Sequence, residues 1–147
     1  MGFIFDRLPG NSGVLPREIT VDLVAHAAIT KGVIYTIDMT FTPSSTYGVA
    51  VASAAVAAGA EEGTQWVMAM EAIDSGSTGK FLIQGYTEIL VQAAADLSAG
   101  DKITSDTAGA AVVAATNDMI IGLAPEANTG LVLKAWFCGT GLGTKGA

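Results

Sequence analysis

Hydrolytic, transfer and redox chemistry needs a nucleophile beside a base, a pair of carboxylates, or a set of metal ligands. This chain holds few residues that supply them. His26 is its single imidazole and Cys138 its single thiol. A Cys–His nucleophile would require segments from opposite ends of the chain to meet. Cys138 instead follows the apolar run Leu131–Phe137 and reads as a strand-end residue, with His26 a partly buried one. One cysteine excludes an internal disulfide, and with one histidine it falls short of an ordinary zinc site. Glu71 and Glu126 each close an apolar run before a glycine turn. Such a pair could share a cation or act as acid and base, but acids at strand ends more often accept hydrogen bonds from turn amides. Asp38 and Asp106 are read the same way. Gly139-Thr-Gly-Leu-Gly143 has the look of a dinucleotide-binding turn without the following helix that would receive a pyrophosphate. The expectation is a protein that is not an enzyme and has no catalytic, cofactor-binding or metal-binding residues.

The elements around these residues read as one β-unit written twice. Gly32–Asp38 matches Gly100–Asp106, and an Ala/Val-rich stretch follows each. Trp66–Ala72 then matches Ile120–Ala127, both ending in Glu-Ala, and after a glycine turn Gly79–Ile83 matches Gly130–Lys134. Turn signals at 43–45, 58–63, 74–79, 98–101, 106–109, 116–118 and 128–130 separate short β-branched or aromatic runs, the punctuation of an all-β sandwich or barrel. Asp106-Thr-Ala-Gly109 suits a hairpin with its glycine in the left-handed region. Val49–Ala58 is alanine-rich, which favours helix. The alternation of Tyr47, Val49 and Val51, and Val112-Val113 at the matching place, make it a strand.

At 147 residues the chain is one domain, half of it hydrophobic and only 14% of it charged. So little charge predicts further surface hidden against a partner. The net charge of −7 opposes nucleic-acid binding. Its longest apolar run, Val49–Ala60, is too short and alanine-rich to span a bilayer, and Met1–Asp6 lacks the pattern of a signal peptide. The expectation is a soluble protein made in the cytoplasm, binding neither nucleic acid nor membrane.

Residues 1–30 differ from the rest. Pro9, Gly10, Gly13 and Pro16 break regular structure, while Phe3, Ile4, Phe5 and Leu8 supply apolar bulk with no local core. The reading is an extended, partner-docking arm over 1–30, a β-barrel domain over 31–138, and a flexible glycine-rich tail over 139–147. Glu18–Ile29 alternates (Ile19, Val21, Leu23) and is a candidate first strand. Phe3, Phe5 and Leu8 must dock on the chain's own domain, on a neighbouring subunit or on another protein, and are candidate interface residues. Trp66 and Trp136 are each either core or interface anchor, and Trp66, beside Gln65, joins the interface candidates.

Gly79–Val91, Leu97–Ala111, Ile120–Ala127 and Gly130–Leu133 together resemble the capsid decoration (cement) proteins of tailed bacteriophages. In that family a strand leads into a "Gly-Asp" turn and a "Ser-Asp-x-x-Gly" hairpin, followed by an "Ile-Gly-x-Ala" strand and a closing apolar strand. Here these are Gly100-Asp101, Ser105-Asp106 with Gly109, Ile121-Gly122 with Ala124, and Gly130–Leu133. The resemblance covers about residues 32–137, and residues 1–30 are longer and more aromatic than the family pattern. It implies a small β-tulip-like barrel on the outer surface of the virion, commonly a homotrimer, whose partner is the major capsid protein and whose joints it cements. No catalytic residues transfer.

Three alternatives stand beside it. Another accessory virion protein, such as a head-fibre base or knob, fits the same residues. A lipoyl- or biotinyl-like carrier is suggested by Leu97–Ile103, although neither Lys80 nor Lys102 sits at a hairpin tip as a carrier requires. A sugar- or peptide-binding β-domain has only Trp66 with Gln65 in its favour.

Overall fold

Alternating and continuous apolar runs give nine strands among the residues described by the computed structural model, which are 18–37, 50–52 (backbone only), 65–93, 95–106 and 108–146. Phe3, Phe5, Leu8 and Asp38 lie outside them. The strands are β1 (Ile19–Val24), β2 (Ile34–Ile37), β3 (Ala50–Ala52), β4 (Trp66–Ala69), β5 (Thr78–Leu90), β6 (Lys102–Ser105), β7 (Ala111–Val113), β8 (Gly122–Leu123) and β9 (Val132–Cys138). No helix occurs among the described residues, so the fold is all-β as expected.

The strands lie in the order β3-β2-β4-β5-β9-β8-β6-β7, with β1 added on β5. Cut between β5 and β9, this order is two copies of the same four-strand path meeting back to back. The expected duplication is visible in the ladder itself. Tyr35 and Thr36 pair with Ala52 and Val51, while Ile103 and Thr104 pair with Val113 and Val112. Gly32 N donates to Ala69 O (2.8 Å) and Ala69 N to Val33 O (3.1 Å). In the second unit Gly100 N donates to Ala124 O (2.7 Å) and Ala124 N to Asp101 O (2.9 Å). Over the described residues the matches of Gly32–Ile37 with Gly100–Ser105 and of Trp66–Ala72 with Ile120–Ala127 therefore hold in register. That of the closing strands slips. Met68 faces Leu82 and Leu123 faces Trp136, so Leu82 corresponds to Trp136 rather than Leu133. The connections are nearly equal in length, which leaves Gly130 inside its turn instead of opening the strand as Gly79 does.

The sheet curls into a nearly closed barrel. Ala111 of β7 bridges Val91, just past the end of β5, and Gln92 N donates to Ala111 O (3.0 Å). Ile34, Trp66, Met68, Leu82, Ile103, Ile121 and Phe137 are among the side chains filling it. A second core holds Leu23, Ile29, Tyr35, Val67, Ile73 and Phe81. β4 separates the two: Trp66 and Met68 enter the barrel, Val67 and Ala69 the second core, and all four are buried. A strand with apolar cover on both faces loses the usual apolar/polar alternation.

Two expected boundaries are corrected. The partner-docking arm does not extend to residue 30. β1 pairs with β5 from Ile19↔Gln84 to Val24↔Thr78, and Leu23, Ala25 and Ile29 belong to the second core. The glycine-rich tail is laid down as backbone structure rather than left loose. Ile120 N donates to Gly143 O (2.8 Å), Leu142 N to Ile120 O (2.7 Å) and Lys145 N to Asp118 O (2.8 Å). The tail thereby supplies partners to backbone groups of the stretch 117–121, whose burial without them would cost free energy.

Candidate interaction surface

The groups with chemical potential are dispersed. His26 is exposed, not partly buried, and its carbonyl accepts from Ser75 Oγ (3.1 Å) at the Thr78 end of β5. Cys138 pairs with Gln84, and its Sγ contacts Thr140 Oγ1 (3.3 Å). Six strand residues at about 3.3 Å each place the two side chains roughly 20 Å apart along β5. Glu71 and Glu126 follow β4 and β8, strands separated by β5 and β9, so they form no carboxylate pair. Among the described residues no cluster of three or more His, Cys, Asp or Glu could hold a metal ion.

The acidic residues serve turns instead. Glu71 Oε2 accepts from Lys80 N (3.0 Å), whereas exposed Glu126 makes no such bond among the described residues. Asp101 Oδ2 accepts from Ser98 N and Asp118 Oδ2 from Ala115 N, each at 2.8 Å. Asp106 is the most engaged. Its Oδ1 accepts from Ala108 N and Ala110 N (both 2.8 Å), and its Oδ2 accepts from Gln92 Nε2 (2.9 Å). Gly109 completes that hairpin at φ 84°, and its carbonyl accepts from Ile34 N (2.9 Å), tying the turn of one unit to a strand of the other. Asp106→Ala is expected to cost about 1–2 kcal/mol, because two turn amides lose their acceptor. A chemical denaturation midpoint moved well beyond that of the exposed-site variant Glu126→Ala would show this.

What distinguishes the surface is an apolar row. Tyr86 of β5, Trp136 of β9, Leu123 of β8 and Lys102 of β6 are register partners in sequence across four strands. Tyr86, Trp136 and Leu123 are each 38–39% exposed, and the two rings pack at 5.0 Å between centroids with a 52° tilt. Beside the row, Glu88 faces Lys134 and Leu90 faces Val132, with exposed Leu131 adjoining. The corresponding row of the first unit, Ile34–Met68–Leu82, is buried in the barrel. Duplicated positions thus have opposite fates: one row packs on the other unit, and its counterpart faces outward.

Trp66, proposed from the sequence as an interface residue, is corrected. It is 1% exposed and inside the barrel. Trp136 is the surface tryptophan. Strand parity carries the signal: Trp136 lies two residues from Lys134, and Tyr86 lies between Gln84 and Glu88 on one face. Trp66 continues into Val-Met-Ala, with no charged residue on either face of β4.

Fold and surface define a class: a doubled, nearly closed β-barrel with dispersed polar chemistry and, among the described residues, an exposed row that carries two aromatic rings. No known family model matches the chain, and no curated protein sequence does. Among solved structures it is similar to the N base of head fibre gp8.5 of bacteriophage phi29. The TM-score is 0.58 at 15% sequence identity, and the match covers 86% of this chain and 99% of that one. At this identity the likeness is one of fold.

Proposed function

We propose that this chain is an accessory structural protein of a phage virion, seated on the outer surface of the head as a homotrimer and cementing the joints between major capsid subunits. The observation that carries the reading is the fold shared with nearly the whole of a phage head-fibre base. The doubled barrel is compatible with it physically, since a nearly closed sheet leaves little free strand edge for unwanted pairing between crowded copies. The exposed aromatic row supports it, because Tyr and Trp in such rows are typical interface anchors. A contact of standard size buries roughly 1,600 Å² in total. Repeated over many sites, it raises the work needed to part neighbouring capsid subunits under internal DNA pressure.

A second reading, that the chain is the base of a head fibre, is favoured by the description of the similar structure as an N base. One experiment separates the two. Purified heads with and without the protein are heated, DNA release is followed with an intercalating dye, and binding is scored by co-sedimentation. The cementing role predicts binding together with release at a higher temperature. Binding with unchanged release favours the fibre base, and absence of binding sinks both.

A further inference from the structure

We propose that the row Tyr86–Trp136–Leu123 is the seat of the N-terminal segment, residues 1–17, of a second copy of this chain, so that copies are linked arm to face. The inference rests on the homo-oligomer in the reading above and supplies its contact. Among the described residues the face stays 38–39% exposed at Tyr86, Trp136 and Leu123, where its counterpart Ile34–Met68–Leu82 is covered, so it is apolar surface open to a partner. The segment offers a matching surface in Phe3, Ile4, Phe5 and Leu8. It also carries Arg7 and Arg17 against the single acid Asp6, the opposite sign to a chain of net charge −7. Arm and acidic body therefore attract, while two bodies alone repel.

The point of entry sets which copy is reached. The described chain begins at Glu18, whose Cγ and Cα lie 3.2 and 3.4 Å from the place a Cβ on Gly85 would occupy, one residue before Tyr86. Crossing the row from β5 to β6 takes three strand spacings, about 14 Å. Leu8 and Phe3 precede Glu18 by ten and fifteen residues, about 30–50 Å of extended chain. Pro16 favours an extended residue before it, at the segment's root. The segment is thus long enough to pass its own row and reach a neighbour's. A contact between two different patches of like copies is heterologous, and it closes into a ring when the rotation permits.

The test uses the full chain and its only cysteine, Cys138, two residues along β9 from Trp136. Equal amounts of ¹⁴N- and ¹⁵N-labelled protein are co-assembled, a benzophenone is attached to Cys138, and photo-adducts are mapped by mass spectrometry. The expected result is adducts joining Cys138 of one isotopic species to residues 1–8 of the other. Phe3→Ser/Phe5→Ser and Trp136→Ser should each reduce the sedimenting mass to that of one chain without changing the far-ultraviolet circular dichroism. Adducts confined to one isotopic species, adducts only outside residues 1–17, or a double variant that keeps the wild-type mass would each overturn the proposal. Shell co-sedimentation is read separately. Crossed adducts in a protein that ignores shells uphold this contact while sinking the virion reading.

Discussion

Gly139→Ala is expected to lower the free energy of unfolding by about 3–5 kcal/mol, among the largest effects of any single substitution in this chain. Gly139 sits where β4 parts from β5 and the end of β9 takes its place. Its N–H donates to Ile83 O (2.7 Å), and its carbonyl accepts from Trp66 N (2.8 Å). A Cβ there would run into the Trp66 carbonyl oxygen, with Gln65 Nε2 2.7 Å and the Trp66 carbonyl carbon 2.9 Å away. These are mostly backbone atoms fixed by the sheet, so relief requires opening the junction and losing both hydrogen bonds. Near this chain length about 4 kcal/mol corresponds to a fall in Tm on the order of 10 °C. Gly146→Ala is the control. Nothing lies within 4 Å of its Cβ position, and it should leave the transition within about 0.5 kcal/mol of wild type. Equal transitions for the two variants would refute the junction.

The two tryptophans should respond oppositely. Trp66→Ala removes a large side chain that is 1% exposed and packed in the barrel, and is expected to cost about 3–5 kcal/mol through lost burial and a residual cavity. Trp136→Ala removes a ring that is 38% exposed, in contact with Tyr86 on the outer face. In a single chain it should cost about 1 kcal/mol, the worth of an aromatic pair with partial burial. Fluorescence gives an independent readout. With Trp66→Phe, emission comes from Trp136 alone and should be red-shifted and quenched by acrylamide while the chain is monomeric. With Trp136→Phe, the remaining Trp66 signal should be blue-shifted and protected. Similar destabilisation by both alanine variants would contradict the placement.

Much of the fold was legible because the signals were local. Asp106-Thr-Ala-Gly109 announces its hairpin, since an acid can accept turn amides and a glycine can take φ 84° without strain. The duplication was legible from matched apolar runs, and the ladder reproduces two of its three matched strands in register. The third slipped because Gly79 and Gly130 look alike in sequence but play different parts. A Cβ on Gly79 would collide with the Ile73 side chain, whereas around Gly130 there is open space. The tail was misread for a similar reason. Glycine content reports backbone freedom, and the stretch 117–121 that uses this freedom is distant in sequence.

The sequence by itself determined the class: all-β, duplicated, with acids that accept from turn amides. Those properties depend on side-chain alternation and turn preferences that act within a few residues. Which copy of each duplicated row is covered was decided only in three dimensions. Ile34, Met68 and Leu82 occupy the same ladder positions as Lys102, Leu123 and Trp136. The first row is buried because the curl of the sheet lays it on the second unit, and among the described residues none covers the second to that degree. Burial is a property of what lies opposite, so the surface that offers Trp136 to a partner emerged only from the way the two halves pack.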